Sequence, residues 1–175
     1  AAAAFAAAVR PDRLYIIPNY LPPLKDGRVP APAADRLAMA ALAFPGCTVC
    51  DFELKSGGVS YTYKTAEYLH RLHPDGALFM LLVEVRLGTE TAAPRTPERR
   101  MILSNSLRRS GEDGRAAAKA EALRRDFGAV VRFIPYEPVE VSSTEVREAL
   151  RAGRTHPLLD GAVAVFCAKG GVEPQ

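Results

Sequence analysis

Tryptophan is missing from this 175-residue chain, aromatic residues make up 7% of it, and cysteine and histidine occur three times each. These scarcities exclude several functions. A nucleic-acid groove needs a basic face with interleaved aromatic side chains. Here the net charge is +3, and the pairs Arg99-Arg100, Arg108-Arg109 and Arg124-Arg125 are scattered, so no nucleic-acid partner is expected. No apolar run approaches the roughly 20 residues of a membrane span, and no basic start with an apolar core and cleavage site marks a leader. No membrane partner is expected either. Cys47, Cys50 and Cys167 cannot all pair, which points to a reducing, cytoplasmic setting. The chain also has no Gly-x-Ser-x-Gly elbow, no phosphate loop of the Gly-Lys-Ser/Thr type and no paired catalytic carboxylates.

What is present suits one globular domain with its own core: hydrophobic residues are 48% and charged residues 25%, ordinary usage for such a domain. The alanine tract around Phe5 reads as the end of a helix. Leu14–Ile17 is a short buried strand stopped by Pro18, and Asp35–Ala43 is helical. Thr48–Leu54 alternates like a strand, and Ser60–His73 is a helix ended by Pro74-Asp75-Gly76. Ala77–Val83 is continuously apolar, as a strand covered on both faces would be. Residues 115–127 are helical, 129–134 a strand, and Ser143–Ala152 and Gly161–Ala168 helices. The stretch from Arg86 to Gly114 has no steady period and reads as a loop, with at most a short strand near Thr91–Pro94. The alternation predicts a parallel sheet with helices on both faces and a ligand site at the carboxyl ends of its strands.

Three stretches fall where such a sheet presents its ligand. In Ser142-Ser143-Thr144-Glu145-Val146-Arg147, hydroxyl residues open a helix whose free amides attract anions. Arg147 lies about one turn inside, where it could add a cationic fork. The same residues also fit a plain capping box, Ser142 with Glu145. In Gly57-Gly58-Val59-Ser60-Tyr61-Thr62, two glycines allow close backbone approach and Ser60 is placed to cap the following helix; an ordinary loop-to-helix turn explains the stretch equally well. Pro18–Lys25 follows a strand, stiffened by prolines, with Lys25 either a point charge for phosphate or a solvated lysine. Two helix starts and a lysine loop at one sheet edge suggest a ligand with two anionic ends. Cys47-x-x-Cys50 stands without a second pair and reads as structural, His70 and His73 lack a third metal ligand, and His156 before Pro157 reads as a turn residue. No metal site is expected from these residues.

In order, P-N-Y-L-P-P-L-K (18–25), A-D-R-L-A-M (34–39), L-K-S-G-G-V-S-Y-T-Y-K-T (54–65), L-F-M-L-L-V (78–83), A-P-R-T-P (93–97) and V-S-S-T-E-V-R-E-A-L-R-A-G-R (141–154) resemble bacterial nicotinate-nucleotide adenylyltransferase. V-S-S-T-E-V-R matches the I-S-S-T-x-I-R signature of the nucleotidyltransferase superfamily, and S-G-G-V-S-Y-T narrows the match to the nicotinate branch. The resemblance implies a Rossmann-like α/β fold, a single nucleotidyltransferase domain over residues 1–175, and adenylyl transfer from ATP to nicotinate mononucleotide with Mg2+. It implies ATP-phosphate contacts from Ser142, Ser143, Thr144 and Arg147. Mononucleotide contacts would come from Lys25, Ser60, Tyr61, Thr62 and Arg95. A homodimer is compatible with it. The family's first strand and its G-x-F-x-P-x-H-x-G-H motif have no counterpart in the chain, so the catalytic histidines are unassigned. The family's G-x-D reads Val83-Glu84-Val85, its ring-contacting tryptophans are absent, and its P-P-H-K histidine is Leu24. Two rivals stand beside this reading: a degenerate, non-catalytic nucleotide-binding protein of the same fold, and an adenylyltransferase for another phosphate such as phosphopantetheine.

Overall fold

The computed structural model of the chain describes residues 2–21, 31–82, 101–105, 117–118, 120–122, 124–125, 130–134 and 142–171. In chain order the elements are α1 (Ala2–Val9), β1 (Tyr15–Ile16), α2 (Ala33–Ala43), β2 (Thr48–Val49), α3 (Phe52–Ser56), α4 (Thr62–Leu72), β3 (Leu78–Leu82), β4 (Met101–Asn105), β5 (Val130–Phe133), α5 (Ser143–Arg151) and α6 (Gly161–Phe166). They belong to two compact units, one of Ala1–Asp12 with Tyr61–Pro138, the other of Arg13–Ser60 with Val139–Gln175.

The first unit is built on three parallel strands in the order β3-β4-β5. Leu78 lies beside Met101 and Leu82 beside Asn105, while Ile102 lies beside Val130 and Asn105 beside Phe133. Parallel neighbours need long crossovers, and the β4-to-β5 connection contains helical residues between 117 and 125. Helices α1 and α4 pack against β3. They bury Phe5 from one and Thr65, Ala66 and Leu69 from the other. The spacing of the α4 residues is that of a single helical face. Burying Leu69 alone contributes about 1.5–3 kcal/mol.

In the second unit β1 runs parallel to β2, Tyr15 beside Thr48 and Ile16 beside Val49. Helix α2 packs on β2 and on α6, where Val163 and Ala164 are buried. Asp160 caps α6, its Oδ1 accepting from the amides of Ala162 at 2.9 Å and Val163 at 3.3 Å. Helix α5 ends on Gly153, at φ +67°. The Gly153 amide donates to Leu150 O at 3.0 Å and the Arg154 amide to Ala149 O at 2.9 Å. A left-handed residue is what this double closure requires, and glycine adopts it without a Cβ penalty.

The chain is thus a mixed α/β protein with parallel strand pairing, as expected, but four boundaries are corrected. The expected loop from Arg86 to Gly114 contains β4, the central strand of its sheet; the stretch Thr91–Pro94 lies outside the described residues. The expected strand Thr48–Leu54 stops at Val49, and α3 begins at Phe52. A salt bridge of 2.8 Å from Lys55 to Asp51, four residues apart, spans that helical turn, and Gly57 ends the helix at φ +65°. Helix α4 starts at Thr62 rather than Ser60. Helix α6 ends at Phe166 and continues as a π-helical turn over Cys167–Gly171. Among the described residues no helix is long and apolar enough to cross a membrane.

Candidate active site

The start of α5 forms the capping box that its sequence allows. Ser142 is extended (φ −93°, ψ 130°). Its Oγ accepts from the Thr144 amide at 3.1 Å, and Glu145 Oε2 accepts from the Ser142 amide at 3.1 Å. The box satisfies donors that an anion would otherwise take, so the amides of this helix start are not all open. Ser142 and Thr144 are exposed there and Arg147 is half-buried. Among the described residues the Arg147 guanidinium has no ion-pair or hydrogen-bond partner. A positive group without a partner, one turn inside a helix start, favours an anionic ligand electrostatically.

The glycine turn is held differently from expectation. Ser60 does not cap α4: the N-cap is Tyr61, and no side chain caps it. Ser60 instead works sideways. Its Oγ accepts from the Tyr20 amide at 2.8 Å, and its own amide donates to Leu21 O at 2.9 Å, beside a parallel bridge between Leu21 and Val59. Gly57 and Gly58 have φ of +65° and +69°, and a Cβ at either would meet nothing within 4 Å. Backbone conformation, not space, therefore calls for glycine here. The uncapped first turn of α4 leaves amides without intrahelical partners. Tyr61 packs its ring 5.9 Å from that of Tyr63, with Lys64 Nζ 5.5 Å from the Tyr61 ring centre. Thr62 is half-buried as the first helical residue.

Ser60 and the residues of α5 belong to the second unit, Tyr61 and Thr62 to the first. Lys25 and Arg95 lie outside the described residues. The structure thus joins Ser60 to the Asn19–Leu21 stretch. Arg36, which no periodicity marks in the sequence, also touches that stretch. Its Nε donates to Ala31 O at 2.8 Å and its Nη1 to Asn19 O.

The remaining candidates fall elsewhere. Cys47 and Cys50 flank β2, and all three cysteines are free and half-buried. Burial, and secondarily the Asp35 carboxylate, pushes the Cys167 thiol above its ordinary value. His156 Nδ1 accepts from the Leu158 amide at 3.2 Å in the turn between α5 and α6. Among the described residues no three His, Cys, Asp or Glu side chains cluster as metal ligands.

No protein-family model matches the chain. Curated relatives do. A probable nicotinate-nucleotide adenylyltransferase of Gemmatimonas aurantiaca is 33% identical over 175 aligned residues, covering 94% of this chain and 80% of its own. Its namesake from Roseiflexus sp. (strain RS-1) is 36% identical, covering 93% and 84%. Another, from Symbiobacterium thermophilum, is 31% identical over 81% and 71%. One from Shewanella sp. (strain ANA-3) aligns over 79 residues only, at 37% identity, which is 43% of this chain and 37% of its own length. The first three are similar over most of both chains, and on that extent the chain belongs to the nicotinate-nucleotide adenylyltransferase family of nucleotidyltransferase enzymes.

Proposed function

We propose that the protein is a cytoplasmic enzyme of NAD biosynthesis on a Rossmann-like single domain. It transfers AMP from ATP to nicotinate mononucleotide, giving deamido-NAD and pyrophosphate. A phosphate oxygen of the mononucleotide attacks the α-phosphorus of ATP. The bond from that phosphorus to the bridging oxygen breaks, and the electron pair leaves with pyrophosphate. No covalent enzyme intermediate is needed: the work is holding two polyanions in line and stabilising the leaving charge.

In this reading Ser142, Ser143, Thr144 and Arg147 hold the ATP phosphates. Lys25, Ser60, Tyr61, Thr62 and Arg95 serve the mononucleotide. Mg2+ keeps most of its ligands as water and phosphate oxygens, so it needs no all-protein cage, and it would neutralise triphosphate charge when bound. The observation that carries the reading is Arg147, a half-buried guanidinium with no partner among the described residues at the helix start whose sequence is V-S-S-T-E-V-R.

The deciding measurement is pyrophosphate release from ATP by the intact gene product, with nicotinate or nicotinamide mononucleotide as acceptor. Release with the nicotinate acceptor is expected. ATP binding without release in either case would instead favour a non-catalytic nucleotide-binding protein.

A further inference from the structure

Two large apolar side chains are held in the open beside the glycine turn. Leu21 is 38% exposed and Val59 41%, and they are partners in a parallel bridge. Such partners project from the same face, on strands about 4.8 Å apart. Both lie in the same compact unit. A single backbone hydrogen bond makes a weak link, and Ser60 reinforces this one from two atoms. Its amide donates to Leu21 O at 2.9 Å, and its Oγ accepts from the Tyr20 amide at 2.8 Å. Next to Val59, nothing lies within 4 Å of where a Cβ on Gly57 or Gly58 would stand. Single exposed apolar residues are ordinary on a surface. Two in register, fastened together beside open space, make a flat apolar step that a ligand can cover.

We infer that the Leu21–Val59 step is a platform for the pyridine ring of the mononucleotide, and that Ser60 is the positioning residue that fastens it. This rests on the proposed nicotinate mononucleotide substrate. Of that substrate's parts, the phosphate, ribose and carboxylate are polar or charged, and only the ring offers apolar faces. Covering the step with the ring removes apolar surface from water on both partners. The fastening matters because a platform already assembled takes the ring at a lower entropic cost than two side chains on separately moving segments.

The test compares Val59→Thr, Ser60→Ala and Ser60→Thr with the wild type in the intact enzyme. It uses calorimetric titration of nicotinate mononucleotide and of ribose 5-phosphate, which lacks the ring, and hydrogen exchange at Tyr20. Val59→Thr exchanges a methyl for a hydroxyl at nearly constant shape, so mononucleotide affinity should fall severalfold while ribose 5-phosphate binds as before. Ser60→Ala should speed exchange at Tyr20. If one molecule in ten then holds the platform together, the mononucleotide binds about tenfold more weakly. Ser60→Thr keeps the oxygen and should restore both. Equal losses for the two ligands in Val59→Thr, or no loss, overturn the platform. Unchanged exchange in Ser60→Ala, or faster exchange with undiminished mononucleotide affinity, overturns the positioning role. A wild type that does not bind the mononucleotide refutes the substrate reading itself and the platform with it, whereas wild-type binding that ignores every substitution refutes the platform alone.

Discussion

At Glu145 helix capping and anion binding make opposite demands. Its carboxylate completes the box by accepting from the Ser142 amide, yet it puts a negative charge beside the residues proposed to receive triphosphate. Glu145→Gln keeps an acceptor of the same shape, so the box survives, and removes the repulsion. At an exposed helix end such a charge is worth about 0.3–1 kcal/mol. ATP should therefore bind roughly two- to fivefold more tightly with thermal stability nearly unchanged; weaker binding would mean that the carboxylate helps the ligand. The box itself was readable from the Ser142–Glu145 spacing. What sequence could not show was that it leaves fewer free amides and so shifts weight onto Arg147. Cys167 offers a second residue-level test. Burial first and Asp35 second raise its thiol in the folded state. The raised group therefore contributes stability below the unfolded thiol value, and this is lost as pH rises through the folded one. The alkylation rate of folded protein should inflect at higher pH than that of unfolded protein. Asp35→Asn should bring the inflection part of the way down, since burial remains; an inflection that does not move would exclude the carboxylate as a cause.

Elements were legible where one period ran long enough and hidden where two signals overlapped. Helix α4 was found from Tyr61, Ala66 and Leu69, of which the structure buries the last two together with Thr65, and β3 because its apolar run has no break. Strand β4 was missed because Met101-Ile102-Leu103 is a short apolar island in polar sequence, and strand identity there comes from neighbours on both sides, not from its own pattern. The α3 region misled in the opposite sense: Val49, Asp51 and Glu53 alternate with apolar or small residues closely enough to mimic a strand, while the helical evidence was a single i,i+4 pair and a terminating Gly57. Ser60 was read as a cap by proximity to α4, but its hydroxyl is taken by Tyr20, forty residues away in sequence, a pairing that no local pattern encodes. The central position of β4 is testable without reference to its side chains. Ile102 lies between Phe79 and Val130, so a proline there removes a ladder donor and leaves a carbonyl unpaired, costing about 1–3 kcal/mol before any steric clash. The urea midpoint of Ile102→Pro should fall accordingly, and an unaltered midpoint would contradict a three-stranded ladder.

For the whole molecule, the net charge of +3 is small and its basic pairs are spread along the chain, so attraction for two polyanionic substrates must come from local groups more than from a general field. Local and general origins respond differently to salt. A long-range field is screened once the Debye length, about 8 Å at physiological ionic strength, becomes shorter than the distances involved. A guanidinium in direct contact with phosphate loses less, because a partly buried pair is screened weakly. If Arg147 supplies most of the attraction for ATP, raising the salt should weaken ATP binding only modestly in the wild type. Arg147→Ala should bind ATP about ten- to a hundredfold more weakly at every salt concentration, as expected for loss of a charge-assisted bond of roughly 1.5–3 kcal/mol. Mononucleotide affinity should be untouched by that substitution. Calorimetric titrations of both substrates across a salt series would show it: ATP curves for wild type and variant that converge at high salt would mean Arg147 acts through the general field rather than by contact. Loss of mononucleotide binding in the same variant would mean that the two substrates share this helix start, contrary to the division of residues proposed for them.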